Sequence, residues 1–225
     1  RAFALIIVSA ALMASGVGCS SSSETNLSNP DSSDEMTDVR DNGGIAGRDG
    51  QKDSSGSDRK RIAAIVTTYF PNSHAGVLVD KFIRGFPTDE GLIPSRTEIA
   101  SLYIDQIHDH DIGRQIAHKY DIPLYESIRA ALTLGGDKLA VDAVLLIGEH
   151  GDYERNELGQ KKYPRYEFFK QVADVFRKDG KAVPVFNDKH LSWKWEWAKE
   201  MVDTARAHQM PLLAGSSVPL AQRKP

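Results

Sequence analysis

Acid–base chemistry needs carboxylates, imidazoles and amines gathered within hydrogen-bond reach of one point. Two short stretches of this sequence supply them, Glu149-His150-Gly151-Asp152 and Asn187-Asp188-Lys189-His190. Glu149 and His150 could act as acid, base or ligand, or belong to a solvated loop. Lys189 carries a cation that can meet a carboxylate, a polarised carbonyl or a cofactor amide oxygen, or it points to solvent from a strand end. Asp188 beside it could hold that ammonium or cap the next helix. A third stretch, His108-Asp109-His110-Asp111, packs potential metal ligands into one loop. Adjacent residues rarely converge on one centre, and no H-x-x-H or H-x-x-x-H partner accompanies them, so a polar helix-capping loop is the plainer reading. Neither a G-x-S-x-G elbow nor a phosphate-binding G-x-x-x-x-G-K-[ST] loop is present.

These residues matter only if the fold brings them together. From Arg61 onward, apolar strand-like runs alternate with segments of helical period. The strands are 62–67, 99–105, 123–125, 141–148, 182–186 and 211–215. Between them, Ala75 to Phe86 carries Leu78, Phe82 and Phe86 on one face. Asp111 can cap a helix whose Ile112, Ile116 and Tyr120 share a face. Short and long helices follow from Glu126 to Thr133 and from Arg165 to Lys178. Ser192 can cap a last helix that buries Trp197, Met201 and Ala205, while Trp193 and Trp195 cannot share its face.

Near-continuous apolar strands joined by helices predict a doubly wound parallel α/β sheet, Rossmann-like, of strand order 3-2-1-4-5-6. Ligands of such sheets bind at the carboxyl ends of the strands, near the reversal of strand order. The predicted site therefore combines Glu149, His150, Lys189 and His190 with the loop Thr67-Thr68-Tyr69-Phe70-Pro71-Asn72-Ser73-His74 and with Asp105.

The stretch from Asp111 to Leu132, DIGRQIAHKYDIPLYESIRAAL, resembles the "helix, Y-G-I-P, Y-x-S-x-x-x-x-L" segment of the glucose–fructose oxidoreductase/inositol dehydrogenase (Gfo/Idh/MocA-like) family. Val141–Ile147 is similar to that family's D-A-V-x-I-A-T strand. Gly180–Ser192 resembles its G-K-x-V-x-x-E-K-P-L-A segment, and Met210–Gly215 its closing strand. The likeness runs from Arg61 to Gly215 and covers the nucleotide-binding half of the family.

The resemblance implies an NAD(P)-dependent oxidoreductase of sugar- or polyol-type substrates, with Lys189 contacting cofactor and substrate beside His190. It places Thr67, Thr68, Asn72, Ser73, His74, Asp105 and Asp188 around a dinucleotide, with Asp105 on the ribose. Asp105 also reads as an ordinary loop carboxylate. Where the family has G-x-G-x-x-G, this chain has Val66, Thr68 and Pro71. Thr68 and Pro71 add bulk where a phosphate should approach, and Pro71 lacks an amide donor. Weak or absent dinucleotide binding is therefore expected. The family's second domain, source of most of its substrate and catalytic groups, is not among these residues. A non-catalytic envelope relative with a degenerate dinucleotide site is the second reading, and a metal-dependent hydrolase the third.

The start of the chain implies export. Arg1 precedes an apolar run, Ala2 to Ala14, then small residues and Cys19, the single cysteine. This describes a secretion signal over residues 1–19. Cys19 is placed as the acylated cysteine of a lipoprotein is, although Gly16 stands where a leucine is usual; an ordinary signal peptide cut nearby, with Cys19 incidental, and an uncleaved anchor are the other readings. Residues 20–60 hold ten serines, seven aspartates and five glycines and no aromatic residue, the composition of a disordered tether. Residues 61–225 form the predicted domain. With 28 Lys+Arg against 31 Asp+Glu in 225 residues, nothing pulls the chain toward nucleic acid. The expected partners are a small-molecule ligand, a membrane only through the lipid anchor, and a second copy if the chain oligomerises. The expected location is the periplasm or outer envelope.

Overall fold

A computed structural model describes residues 59–215. The signal segment, Cys19 and nearly all of the predicted tether lie outside the described residues. The elements are β1 (Lys60–Val66), α1 (His74–Arg84), β2 (Phe86–Thr88), β3 (Gly91–Ile93), β4 (Thr97–Ile104), α2 (Gly113–Lys119), α3 (Ile128–Thr133), β5 (Ala143–Ile147), α4 (Arg165–Asp179), β6 (Val185–Asp188), α5 (Trp195–Ala207) and β7 (Leu212–Gly215).

Five strands pair in the order β4-β1-β5-β6-β7, every pair parallel. The predicted 123–125 strand is reduced to one parallel bridge, Leu124 to Leu102, on the outer edge of β4. Two hydrogen bonds hold it, from Leu102 N–H to the Pro123 carbonyl and from Tyr125 N–H to the Leu102 carbonyl. With that edge counted, the order is the expected doubly wound one, and it reverses between β1 and β5.

The strands alternate their side chains between two apolar layers, as a strand must. Ala63, Ile65, Val144, Leu146 and Val185 face one layer, where α3, α4 and α5 supply Leu132, Phe169, Val172, Phe176 and Met201. Ile62, Ala64, Val66, Leu145, Ile147 and Phe186 face the other, filled by Leu78, Val79 and Phe82 of α1 and Ile116 of α2. Each fully buried Leu, Ile or Phe contributes about 1.5–3 kcal/mol, so the two layers fix the sheet and the loops at its carboxyl edge.

Several boundaries differ from the sequence reading. Helix α1 stops at Arg84 rather than running to Phe86, because Gly85 (φ 110°) turns the chain and Phe86 opens a β2–β3 hairpin. A Cβ on Gly85 would lie 2.8 Å from the Ile93 carbonyl oxygen. Ser192 does not cap α5. Its hydroxyl accepts from the N–H of Lys194, two residues on, and Lys194 is the N-cap. Trp193 therefore lies outside the helix, where its ring meets Trp197 edge-on at 5.0 Å. Trp195 is exposed.

Candidate functional site

The reversal between β1 and β5 opens a crevice at their carboxyl ends, and Thr67 locks its floor. Its hydroxyl donates to the Glu149 carbonyl at 2.5 Å, while its own carbonyl accepts from Gln106 N–H at 2.8 Å. The turns after β1, β4 and β5 are thereby tied to one residue.

The turn after β1 is closed on itself. Ser73 is the N-cap of α1, and its hydroxyl oxygen accepts from the N–H groups of Gly76 (3.0 Å) and Phe70 (3.1 Å). The same hydroxyl donates to the Phe70 carbonyl at 2.7 Å. A cap of this kind contributes about 1 kcal/mol to the helix. It also occupies an amide that would otherwise be free for an anion. Gly76 is required because a Cβ there would stand 2.7 Å from the Phe70 carbonyl oxygen. Asn72 sits in the left-handed region at φ 63°.

The turn after β4 is closed as well. Both oxygens of Asp105 accept tyrosine hydroxyls, from Tyr103 at 2.8 Å and from Tyr153 at 2.6 Å. Burial and this carboxylate push the Tyr103 phenol up to about 12. Gln106 pairs its amide with the Asp152 backbone through two hydrogen bonds of 3.1 and 2.8 Å. Tyr153 and Asp152 belong to a looped arm between β5 and α4, pinned by an Arg155–Lys161 bridge and by Lys161 Nζ donating to the Gly151 carbonyl.

The turns after β5 and β6 carry charge. Arg165, the first residue of α4, is fully buried and donates to Glu149 and, at 3.2 Å, to His190 Nε2. A cation at the positive end of a helix is locally unfavourable, and Glu149 offsets it. Gly148 makes the approach feasible, since a Cβ there would lie 2.6 Å from Arg165 Cγ. The other Glu149 oxygen accepts from Lys189 Nζ at 3.4 Å. Burial and the guanidinium lower the pKa of His190, which leaves its Nε2 free to accept from Arg165.

Asp188 neither holds the Lys189 ammonium nor caps α5. It is buried and pairs with His74 Nδ1 at 2.6 Å. The His74 ring lies 5.4 Å from that of His150, whose pKa is lowered by burial and then by the nearby His74. Lys189 (φ 62°) and His150 (φ 69°) both adopt left-handed backbone, each at a cost of about 1–2 kcal/mol for a residue with a Cβ. Lys189 is held there by its N–H donating to the Gly215 carbonyl at 3.0 Å. Buried Asn187 braces the turn with its amide donating to the Asp188 and His190 carbonyls, each at 3.2 Å.

Glu149, His150, Asp188, Lys189, His190 and His74 thus form one connected cluster, with Thr67 beneath it. Thr68, Phe70, Gln106, His108, His150, Lys161 and Tyr163 line a cleft of about 540 Å³ beside the cluster. Asn72, Ser73 and Asp105 lie in the same turns, with their side chains or backbones committed as described. Arg165 and the arm residues Tyr153, Lys161 and Tyr163 were missed by the sequence reading. Arg165 left one legible signal, a basic residue at a helix N-terminus.

His108 to Asp111 do not converge. His108 Nδ1 accepts from His110 N–H, and Asp111, one residue before the N-cap Ile112 of α2, accepts from Gly113 and Arg114 N–H rather than standing as the cap itself. Among the described residues, no group of three or more His, Cys, Asp and Glu side chains is placed to hold a metal ion.

No protein-family model matches the chain, and no curated protein sequence matches it. Solved structures do. A dehydrogenase (MviM) from Clostridium difficile is 14% identical, with 69% of this chain and 39% of that one covered at a TM-score of 0.43. UDP-N-acetylglucosamine 3-dehydrogenase GnnA from Acidithiobacillus ferrooxidans is 14% identical, covering 70% and 38% at 0.42. GenD2 from gentamicin A biosynthesis, in complex with NAD, is 16% identical, covering 76% and 37% at 0.45. The chain spans less than two-fifths of the length of each of these structures. The parallel strand order with helices between successive strands defines residues 59–215 as a Rossmann-like α/β domain.

Proposed function

We propose that the crevice binds a small polar ligand against Lys189, Glu149, His150 and His190, and that it holds a dinucleotide weakly or not at all. The observation that carries this reading is the state of the turns after β1 and β4. A dinucleotide needs free amides at the start of α1 and a free carboxylate after β4. In this chain Ser73 occupies the Gly76 amide, Pro71 has none, and two tyrosine hydroxyls occupy Asp105. The turns after β5 and β6 keep a partly exposed lysine beside a carboxylate and two histidines.

A second reading is an NAD(P)-dependent oxidoreductase of sugar or polyol substrates, working with a further domain of a longer protein. The position of Lys189 after β6, where the resembled family has its cofactor- and substrate-contacting lysine, favours it. Thermal-shift titration with NAD, NADP and a panel of polyols and hydroxy acids separates the two. Stabilisation equivalent to about 2–3 kcal/mol by millimolar NAD means roughly 100-fold saturation and selects the oxidoreductase. Stabilisation by a polyol or hydroxy acid alone, weakened in Lys189→Ala, selects the ligand-binding domain.

Export and acylation at Cys19 belong to the same proposal. Mass spectrometry of membrane-extracted protein tests them through a lipid-modified N-terminal cysteine.

A further inference from the structure

Among the described residues, the buried side-chain atoms without a hydrogen-bond partner are Thr68 Oγ1, His150 Nε2, Arg165 Nε and Asn187 Oδ1. Each belongs to a crevice turn or to the arginine beneath it. An orphaned buried polar group costs about 1–3 kcal/mol, so a cluster of them marks a place built to be filled. Thr68 and His150 line the same 540 Å³ cleft.

The remaining donors of that cleft point to one chemistry. Lys161 Nζ gives one hydrogen to the Gly151 carbonyl and keeps others free. His108 Nδ1 accepts from His110 N–H, so its Nε2 carries a proton to donate. Phe70 stacks on His108 at 4.2 Å and meets His150 edge-on at 5.2 Å, bracing both rings. The carboxylates of the cleft, Asp109 and Asp152, are exposed, whereas Thr68 is buried and His108, His150 and Lys161 are half-buried. Donors occupy the interior and acids the mouth.

We propose that the interior of this cleft receives the oxyanion group, carboxylate or phosphate, of a small ligand, held by Thr68, His108, His150 and Lys161. This inference rests on the reading of the crevice as a ligand site. In place of the backbone amides closed off by Ser73 it uses side-chain donors from the turns after β1 (Thr68), β4 (His108) and β5 (His150) and from the β5–α4 arm (Lys161). Charge-assisted hydrogen bonds from Lys161 and a protonated His150 are the strong contacts. His150 is faced by His74, Glu149, Lys189 and Asp188, and shares the cleft with His108, Lys161, Asp109 and Asp152. Burial favours its neutral form, so an anion beside it draws a proton onto it and binding strengthens as pH falls.

The test titrates the 225-residue chain with inorganic phosphate and with acetate against chloride of matched ionic strength, at about pH 8 and pH 6. Acetate stays ionised across that range and isolates the protein's own proton. Expected is stabilisation beyond chloride by at least one anion, stronger for acetate at the lower pH. His150→Gln should reduce the pH dependence, Lys161→Gln should weaken binding about tenfold, and the α4 surface control Arg177→Gln should change nothing. An unfolding midpoint that tracks ionic strength alone overturns the proposal and leaves water as the occupant. So does an anion effect kept in full by both cleft variants, or phosphate displaced by micromolar NAD. A hydroxy acid or polyol that depends on Lys189, without any anion effect, removes the oxyanion site alone. An anion effect without any Lys189-dependent ligand removes the wider reading alone.

Discussion

On the β1–β4 side of the crevice, Ser73, Asp105 and Gln106 are bonded to the chain itself, and the helix cap leaves little for a ligand. On the β5–β6 side, Glu149 shares two cations, Lys189 and His150 take left-handed backbone, and three of the four unpartnered buried side-chain atoms of the described residues occur, in His150, Arg165 and Asn187. The two sides stand on the same sheet with the same packing beneath them. Their difference shows that the fold can be kept while one half of its binding edge loses the contacts a dinucleotide uses and the other stays charged. Strain and orphaned groups persist where surrounding structure over-determines them, and such places are sites more often than accidents.

The sharpest way to break the charged side is Arg165→Met. It leaves Glu149 half-paired and His190 without its donor, and should cost about 3–5 kcal/mol in urea unfolding. Adding Glu149→Gln should recover part of that loss. A cost below 1 kcal/mol would show that Arg165 does not organise the cluster.

Gly148→Ala attacks the same arrangement from the backbone. The new methyl would meet Arg165 Cγ inside a buried site. Overpacking of about 1–3 kcal/mol is expected, read as a lower unfolding midpoint.

The histidines give the comparison a pH signature. His150 and His190 both have folded-state pKa values lowered by burial, from about 6.5 in the unfolded chain. The unfolded chain then binds more protons below that value. The stability these groups contribute is present above about pH 6.5 and is lost as pH falls through their folded-state values. His150→Gln should flatten this slope between pH 7 and 5, seen in unfolding free energies. An unchanged slope would mean His150 titrates normally.

Lys189 offers the smallest and cleanest effect. Lys189→Ala, at a partly exposed side chain, should change stability by less than about 0.5 kcal/mol. Lys189→Gly should raise stability by up to about 1 kcal/mol, because glycine adopts φ 62° without the Cβ penalty. Both should weaken the small-ligand response. If glycine destabilises, the left-handed turn is not strained.

Strand order and crevice position were legible because apolar runs such as Ile62–Val66 and Val144–Ile147 need cover on both faces, and crossover handedness then leaves few topologies. The meeting of Lys189 with Glu149 follows from that topology. The β2–β3 hairpin was not legible, since Gly85 ends the helix through backbone conformation that its apolar period does not show. The pairing of Asp188 with His74 was not legible either, because it joins residues far apart in the chain through side-chain geometry. The engagement of Asp105 by two tyrosine hydroxyls depends on Tyr153, carried by an arm whose polar composition reads as loop.

Calorimetric titration of the 225-residue chain with NAD tests most directly the claim that the β1–β4 side is closed to a dinucleotide. The account predicts no saturable heat below millimolar NAD, because the Gly76 amide and the Asp105 carboxylate are already bonded. Saturable binding with a micromolar Kd would contradict it.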